Sequence, residues 1–219
     1  MRFKCLVLDH DDTVFNSTAT IHYPCFIKYL TERLPHLADK YTLEDYFVKN
    51  FDPGVIALFR DEVGLTEDEM REEEEYWRDY VKGHIPVAYD GISDILHRFR
   101  AEGGIIAVAS HSFKNYIERD YRAAGLPMPD CIYGWDLSPE LRKPAPYTVL
   151  DIMEKYSLAP SDVLVVDDLK PGFDMARTAG VAFAAAGWAY DVSSIEKFMR
   201  EHCDYYLKQV GELSRLLFS

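Results

Sequence analysis

Apolar residues fall along this chain in short unbroken runs, separated by longer stretches with helical spacing. Residues 3–8 form the first run, which ends on acidic residues. Residues 105–109 follow two glycines and end on Ser110. Residues 131–133 are a shorter run, 163–166 end on Asp167 and Asp168, and 181–185 are a fifth. Residues 204–207 read as a short strand at an edge. Runs that are apolar at every position, not at alternate ones, describe strands covered on both faces, hence a parallel sheet. Between them, Ile92, Ile95, Leu96 and Phe99 recur at helical intervals, as do apolar residues in 116–124, 147–156 and 195–199. Strand–helix alternation of this kind predicts an α/β fold: a doubly wound, mainly parallel sheet of Rossmann type with right-handed crossovers.

One segment breaks the rhythm. Residues 16–85 contain no strand pattern; 16–34, 42–50, 54–63 and 66–82 read as helices, punctuated by Pro35, Pro53, Gly64 and Gly83. The expected organisation is an α/β core of residues 1–15 and 86–219, interrupted after the first strand by a helical insert of residues 16–85. Such an insert is expected near the carboxyl ends of the strands, where open α/β sheets bind ligands. The acidic run 67–75 reads as a solvated helix face, with Thr66 and Glu69 as a capping box. Asn16 is expected to cap the first insert helix.

Four polar features fall at predicted strand ends. Asp9-His10-Asp11-Asp12-Thr13 directly follows the first strand. Carboxylates two residues apart at a strand tip can divide metal binding, nucleophilic attack and proton transfer. Ser110 ends the second strand, in Ser110-His111-Ser112; taken singly, Ser110 or Ser112 reads as the N-cap of the following helix. Lys143 precedes Pro144 and, taken singly, reads as a surface lysine before a helix. Adjacent aspartates at the end of the strongest strand, Asp167 and Asp168, are costly to bury unless paired or on a metal, so a metal site is the better reading there.

In order and spacing, these four features resemble the motifs of the haloacid dehalogenase-like hydrolase superfamily. Those motifs are an N-terminal DxDx[TV], a strand-ending Ser or Thr, a Lys, and a strand-ending acidic pair. Here they read Asp9 to Thr13, Ser110, Lys143-Pro144, and Asp167-Asp168 followed by Gly172 and Ala179-Gly180. The resemblance spans essentially the whole chain, and the insert matches the superfamily's C1-type helical cap. It implies an enzyme with Asp9 as nucleophile, attacking phosphorus to give an aspartyl phosphate, and Asp11 as acid and then base. It implies Mg²⁺ held by Asp9, the main-chain oxygen of Asp11 and Asp168, with Asp167 as ligand or neighbour. Ser110 and Lys143 would bind the phosphoryl group, aided by main-chain N–H groups of the loop after the first strand. His10 and His111 flank these positions and are candidate phosphate contacts. Thr13 is expected to order the loop. Asp11 separates the phosphatase branches from the dehalogenase and phosphonatase branches, which lack it. Asp12 stands where glycine is commonest. The same motifs also serve phosphomutases, and a non-catalytic phosphate-binding protein is the remaining alternative.

Composition narrows the partners. With 24 basic and 37 acidic residues, the formal charge of −13 repels nucleic acid and anionic membranes. A small phosphorylated metabolite then needs a local positive site. The four cysteines are scattered, with no metal-binding spacing, and Cys5 and Cys131 lie in strand-like runs as core residues. Scattered thiols, a first segment that reads as a strand and no spanning apolar run give a cytoplasmic location as the expectation.

Overall fold

The computed structural model describes residues 1–219. In chain order the elements begin β1 (Cys5–Leu8), β2 (Phe15–Asn16), α1 (Tyr23–Arg33), α2 (Leu43–Phe51), α3 (Val55–Ala57), α4 (Glu67–Lys82) and β3 (Val87–Ala88). They continue α5 (Ile92–Ala101), β4 (Ile105–Ala109), α6 (Lys114–Ala123), β5 (Cys131–Tyr133), α7 (Tyr147–Tyr156) and β6 (Val163–Asp167). The last are α8 (Lys170–Ala179), β7 (Ala182–Ala186), α9 (Ser193–His202), β8 (Tyr205–Leu207) and α10 (Val210–Phe218).

The chain divides into two compact units, one of Met1–Asn16 with Val87–Ser219 and one of Ser17–Pro86. The first is built on a six-stranded, all-parallel sheet in the order β5-β4-β1-β6-β7-β8. All residues of β1 and β6 are buried, as continuous apolar runs require. Side chains of Leu6, Leu8, Ile106, Val108, Leu164 and Val166 join one core with α5, α6 and α10, while α8 packs along β6 and β7. Alternate residues of each strand thus face opposite helical layers. The chain first winds outward from β1 through β4 to β5, then returns to β6 on the other side of β1. In open α/β sheets ligands bind outside the carboxyl ends of the strands at such a reversal, here the ends of β1 and its neighbours β4 and β6.

Two features differ from the sequence expectation. Phe15–Asn16 and Val87–Ala88 pair as a two-residue antiparallel ribbon that joins the ends of the intervening segment, so Asn16 is in a strand and the N-cap position of the first helical turn belongs to Ser17. The C-terminal helix α10 was not foreseen; it buries Leu213 and Leu217 in the core.

The second unit is helical. Its core combines Phe26, Tyr29, Leu30, Tyr46, Leu58 and Phe59. The Thr66–Glu69 capping box forms as expected: the Thr66 N–H donates to Glu69 Oε2 at 2.8 Å, and the Glu69 N–H donates to Thr66 Oγ1 at 3.4 Å. Most of the acidic run is exposed, although burial beside Glu74 pushes Glu73 up to about 7. The segment 55–63 is a single α-turn followed by a π-helical turn, ended by Gly64 with φ +84°.

Candidate functional site

Asp9 is the first residue beyond β1. Its N–H donates to Val166 O at 2.9 Å, so sheet bonding continues past the strand and fixes the main chain at the tip. Its carboxylate is 5% exposed, and Oδ1 lies 3.0 Å from Lys143 Nζ. Lys143 comes from the loop between β5 and α7 and precedes a cis peptide to Pro144. Contrary to the surface alternative, it is buried, and its ammonium donates to Asp167 Oδ2 at 2.6 Å. Burial opposes that charge, but the Asp167 and Asp9 carboxylates outweigh it and hold Lys143 above its usual pKa.

Asp167 ends β6. Its Oδ1 accepts from the Leu169 N–H at 2.8 Å. Gly172, in the first turn of α8, allows this: a Cβ there would sit 2.1 Å from Asp167 Oδ2. Asp168 follows, 5% exposed, with Oδ1 3.4 Å from Thr13 Oγ1 and its main-chain oxygen accepting from Tyr190 at 3.0 Å. Burial and the neighbouring Asp9 charge lift Asp167 to about 7; burial, then Asp167, Asp12 and Asp9, lift Asp168 well above the carboxylate range.

Oxygen atoms of Asp9, Asp167 and Asp168 lie within 4.8 Å of one another, all three side chains buried. One ammonium faces three carboxylates. The donors are oxygen only, and the cluster carries excess negative charge that burial penalises. A hard divalent cation suits both features.

The loop from His10 to Phe15 closes on itself. The N–H groups of Val14 and Phe15 donate to His10 O at 3.2 and 3.1 Å, and that of Asp12 to Phe15 O at 2.7 Å. These three are therefore engaged within the loop, and an anion-binding nest would draw on other N–H groups. Asp12 sits at φ +55°, in the left-handed region. That is why glycine is common there and why aspartate, which tolerates this region, substitutes for it.

Asp11 is half-buried, and its Oδ2 accepts from Ser112 Oγ at 2.6 Å. Ser110, 4% exposed, is fixed by its N–H to Tyr133 O at 2.9 Å, and its Oγ accepts from the Ser112 N–H at 3.0 Å. Neither serine caps α6, whose N-cap is Phe113. The part-buried His111 meets Lys143 O through Nε2 at 3.1 Å; desolvation and the Lys143 ammonium lower it to about 4, so the ring is neutral.

His10 departs from its expected role as a phosphate contact. Its imidazole is turned into the core, with Nε2 3.1 Å from buried Asp120 Oδ2 and the ring 4.7 Å from that of Phe15. A ring so enclosed offers no donor to a phosphate, which leaves only the main chain of His10. The structure thus gathers Asp9, Asp11, Ser110, His111, Asp167 and Asp168 at or just beyond strand ends, brings Lys143 to them from the loop before α7, and adds Ser112 and Gly172. Ser112 carried no signal beyond its place after Ser110, whereas Gly172 followed the acidic pair.

Solved structures share this fold. A protein designated a haloacid dehalogenase-like hydrolase from Bacteroides fragilis superposes with TM-score 0.79 at 20% identity, covering 96% of this chain and 99% of that one. A predicted phosphoglycolate phosphatase from Haemophilus somnus gives 0.78 at 21%, covering 99% of each chain. A predicted phosphatase from Clostridium acetobutylicum gives 0.78 at 18%, again covering 99% of each. No curated protein matches the sequence. The sequence does match the family described as haloacid dehalogenase-like hydrolase over residues 3–180. This match takes in all four motifs, and the chain belongs to the haloacid dehalogenase-like hydrolases.

Proposed function

We propose that this hydrolase is a Mg²⁺-dependent phosphatase of small phosphomonoesters, of the phosphoglycolate, sugar phosphate or nucleotide class, working through an aspartyl phosphate on Asp9. The observation that carries the reading is the contact of Lys143 with both Asp9, at 3.0 Å, and Asp167, at 2.6 Å, inside a cluster of three buried carboxylates. A lone ammonium beside a nucleophilic carboxylate both restrains that carboxylate and offers positive charge to an incoming phosphoryl group. The names of the Haemophilus somnus and Clostridium acetobutylicum structures favour phosphatase chemistry.

The metal would be held by Asp9, Asp168 and the main-chain oxygen of Asp11, with Asp167 beside them. When bound, it supplies charge neutralisation for the phosphoryl oxygens. The residues do the rest. An Asp9 carboxylate oxygen attacks phosphorus as the bond to the leaving oxygen breaks, and Asp11 gives that oxygen its proton. Water then attacks the phosphorus of the aspartyl phosphate, Asp11 takes a proton from it, and Asp9 is regenerated with release of phosphate. The Ser110 hydroxyl and Lys143 hold phosphoryl oxygens. We assign substrate selection to the helical unit, as the C1-type cap of this family. A cytoplasmic setting accords with four free cysteines.

The test is phosphate release from p-nitrophenyl phosphate and a panel of phosphorylated metabolites, with and without Mg²⁺, beside Asp9→Asn. Mg²⁺-dependent release lost in the variant supports the reading. Release that survives in Asp9→Asn contradicts it, and sugar phosphate isomerisation without release would point to a mutase.

A further inference from the structure

Ser112 lies in the turn between β4 and α6, two residues past the strand-end serine. A hydroxyl just ahead of a helix ordinarily serves that helix's unpaired N–H groups. Here another residue meets that need: the Lys114 N–H donates to Asp136 Oδ2 at 2.7 Å. The Ser112 hydroxyl is turned instead to Asp11, 101 residues away in sequence, and donates to Oδ2 at 2.6 Å.

The donor is fixed from every side. Ser112 is 4% exposed, and its own N–H donates to Ser110 Oγ at 3.0 Å. Its carbonyl accepts from the Trp135 N–H at 2.9 Å. Gly134 permits that approach, since a Cβ on it would come within 2.6 Å of the Ser112 oxygen. The hydroxyl is therefore held by main-chain geometry and does not adapt to wherever Asp11 points. A short hydrogen bond from a fixed hydroxyl to one carboxyl oxygen sets the plane of the Asp11 carboxyl group.

We infer that Ser112 is the positioning residue of the Asp11 acid/base. It touches no reacting atom, and it acts by holding one carboxylate oxygen so that proton transfer runs along one direction in both half-reactions. The same residue ties the phosphoryl-binding Ser110 to the acid/base, so the two are set by one turn. This inference rests on the phosphatase reading above.

A double-mutant cycle tests it. Ser112→Ala, Ser112→Thr, Asp11→Asn and the Ser112→Ala/Asp11→Asn pair are compared by kcat and KM for phosphate release from p-nitrophenyl phosphate with Mg²⁺. Thermal unfolding is followed on each; Ser112→Cys, which keeps the side-chain shape with a slightly larger atom and lacks the strong donor, stands in if the alanine variant unfolds. General acid/base groups contribute about 10²–10⁴-fold, and a misplacement near 1 Å costs on the order of 10²-fold. Ser112→Ala is expected to lower kcat by roughly 10- to 100-fold, less than Asp11→Asn, with KM changed by no more than about twofold. Ser112→Thr, which keeps the hydroxyl, restores most of the loss. The double variant is no slower than Asp11→Asn alone, because Ser112 has nothing left to position. Wild-type kcat in Ser112→Ala, or losses that multiply in the double variant, would overturn the inference while leaving the phosphatase reading intact. A wild type with no Asp9-dependent release removes both.

Discussion

Replacing Gly172 with alanine sets two effects of opposite sign against each other. Gly172 lies within α8, where alanine is ordinarily favoured over glycine by about 1 kcal/mol. The added Cβ, however, would lie 2.1 Å from Asp167 Oδ2 and 2.3 Å from its Cγ. Carbon contacts settle near 3.5–4.0 Å, so the carboxylate must retreat by roughly 1 Å or more. That movement breaks the 2.8 Å bond from the Leu169 N–H and the 2.6 Å bond from Lys143. Hydrogen bonds to charged groups are worth about 1.5–3 kcal/mol each. Two of them outweigh the helix gain and leave a net loss of roughly 2–5 kcal/mol. For a chain of this length, each kcal/mol moves the midpoint by about 2–4 °C. Calorimetry of Gly172→Ala should therefore show Tm lowered by about 4–20 °C, with phosphatase activity reduced as Asp167 leaves Lys143. A Tm at or above wild type would refute the packing argument, since helix propensity would have won.

Two further predictions concern buried charge. In the folded protein without metal, burial and neighbouring carboxylates raise Asp167 to about 7 and Asp168 well above its usual value. The fold then binds protons that the unfolded chain has released above its ordinary carboxylate range. Stability must fall as pH rises from about 4 through 7, by an amount on the order of a few kcal/mol. Melting in a chelator from pH 5 to 8 should show this fall, and excess Mg²⁺ should cancel it at pH 8 more than at pH 5; a flat chelator profile contradicts it. The second concerns His10, whose Nδ1 is buried without a hydrogen-bond partner. Asp120→Ala leaves its Nε2 unpartnered as well and removes the 2.7 Å contact of Arg119 Nε with Asp120 Oδ1, and should cost about 1–3 kcal/mol in urea unfolding; a change under about 0.5 kcal/mol would show that these buried contacts contribute little.

The sheet was legible because buried parallel strands leave continuous apolar runs: residues 105–109 and 131–133 match the observed strands, and 163–166 falls one residue short of β6. The chemistry was legible for a related reason. Three of the four motifs, at Asp9, Ser110 and Asp167-Asp168, sit where a buried strand stops, so a polar residue there is conspicuous. The ribbon of Phe15–Asn16 with Val87–Ala88 was not legible, since two residues carry no periodicity. Nor were the partners of His10 and Asp11. Asp120 and Ser112 lie 110 and 101 residues away, and the contacts exist only once β4 and α6 are laid beside β1. Lys143 looked like a surface residue because lysine burial depends on two carboxylates supplied by other strands.

The central claim is covalent chemistry on Asp9. The most direct measurement is to mix the Asp11→Asn variant with Mg²⁺ and p-nitrophenyl phosphate, whose leaving group needs no proton from Asp11, quench in acid, and map the phosphoryl group by peptide mass spectrometry. With the base that activates water removed, the account predicts a hydroxylamine-sensitive phosphoryl group on the peptide bearing Asp9, absent when Asp9 is also changed to Asn. A wild type that releases phosphate while this variant never carries phosphate on Asp9, or carries it elsewhere, would contradict the account.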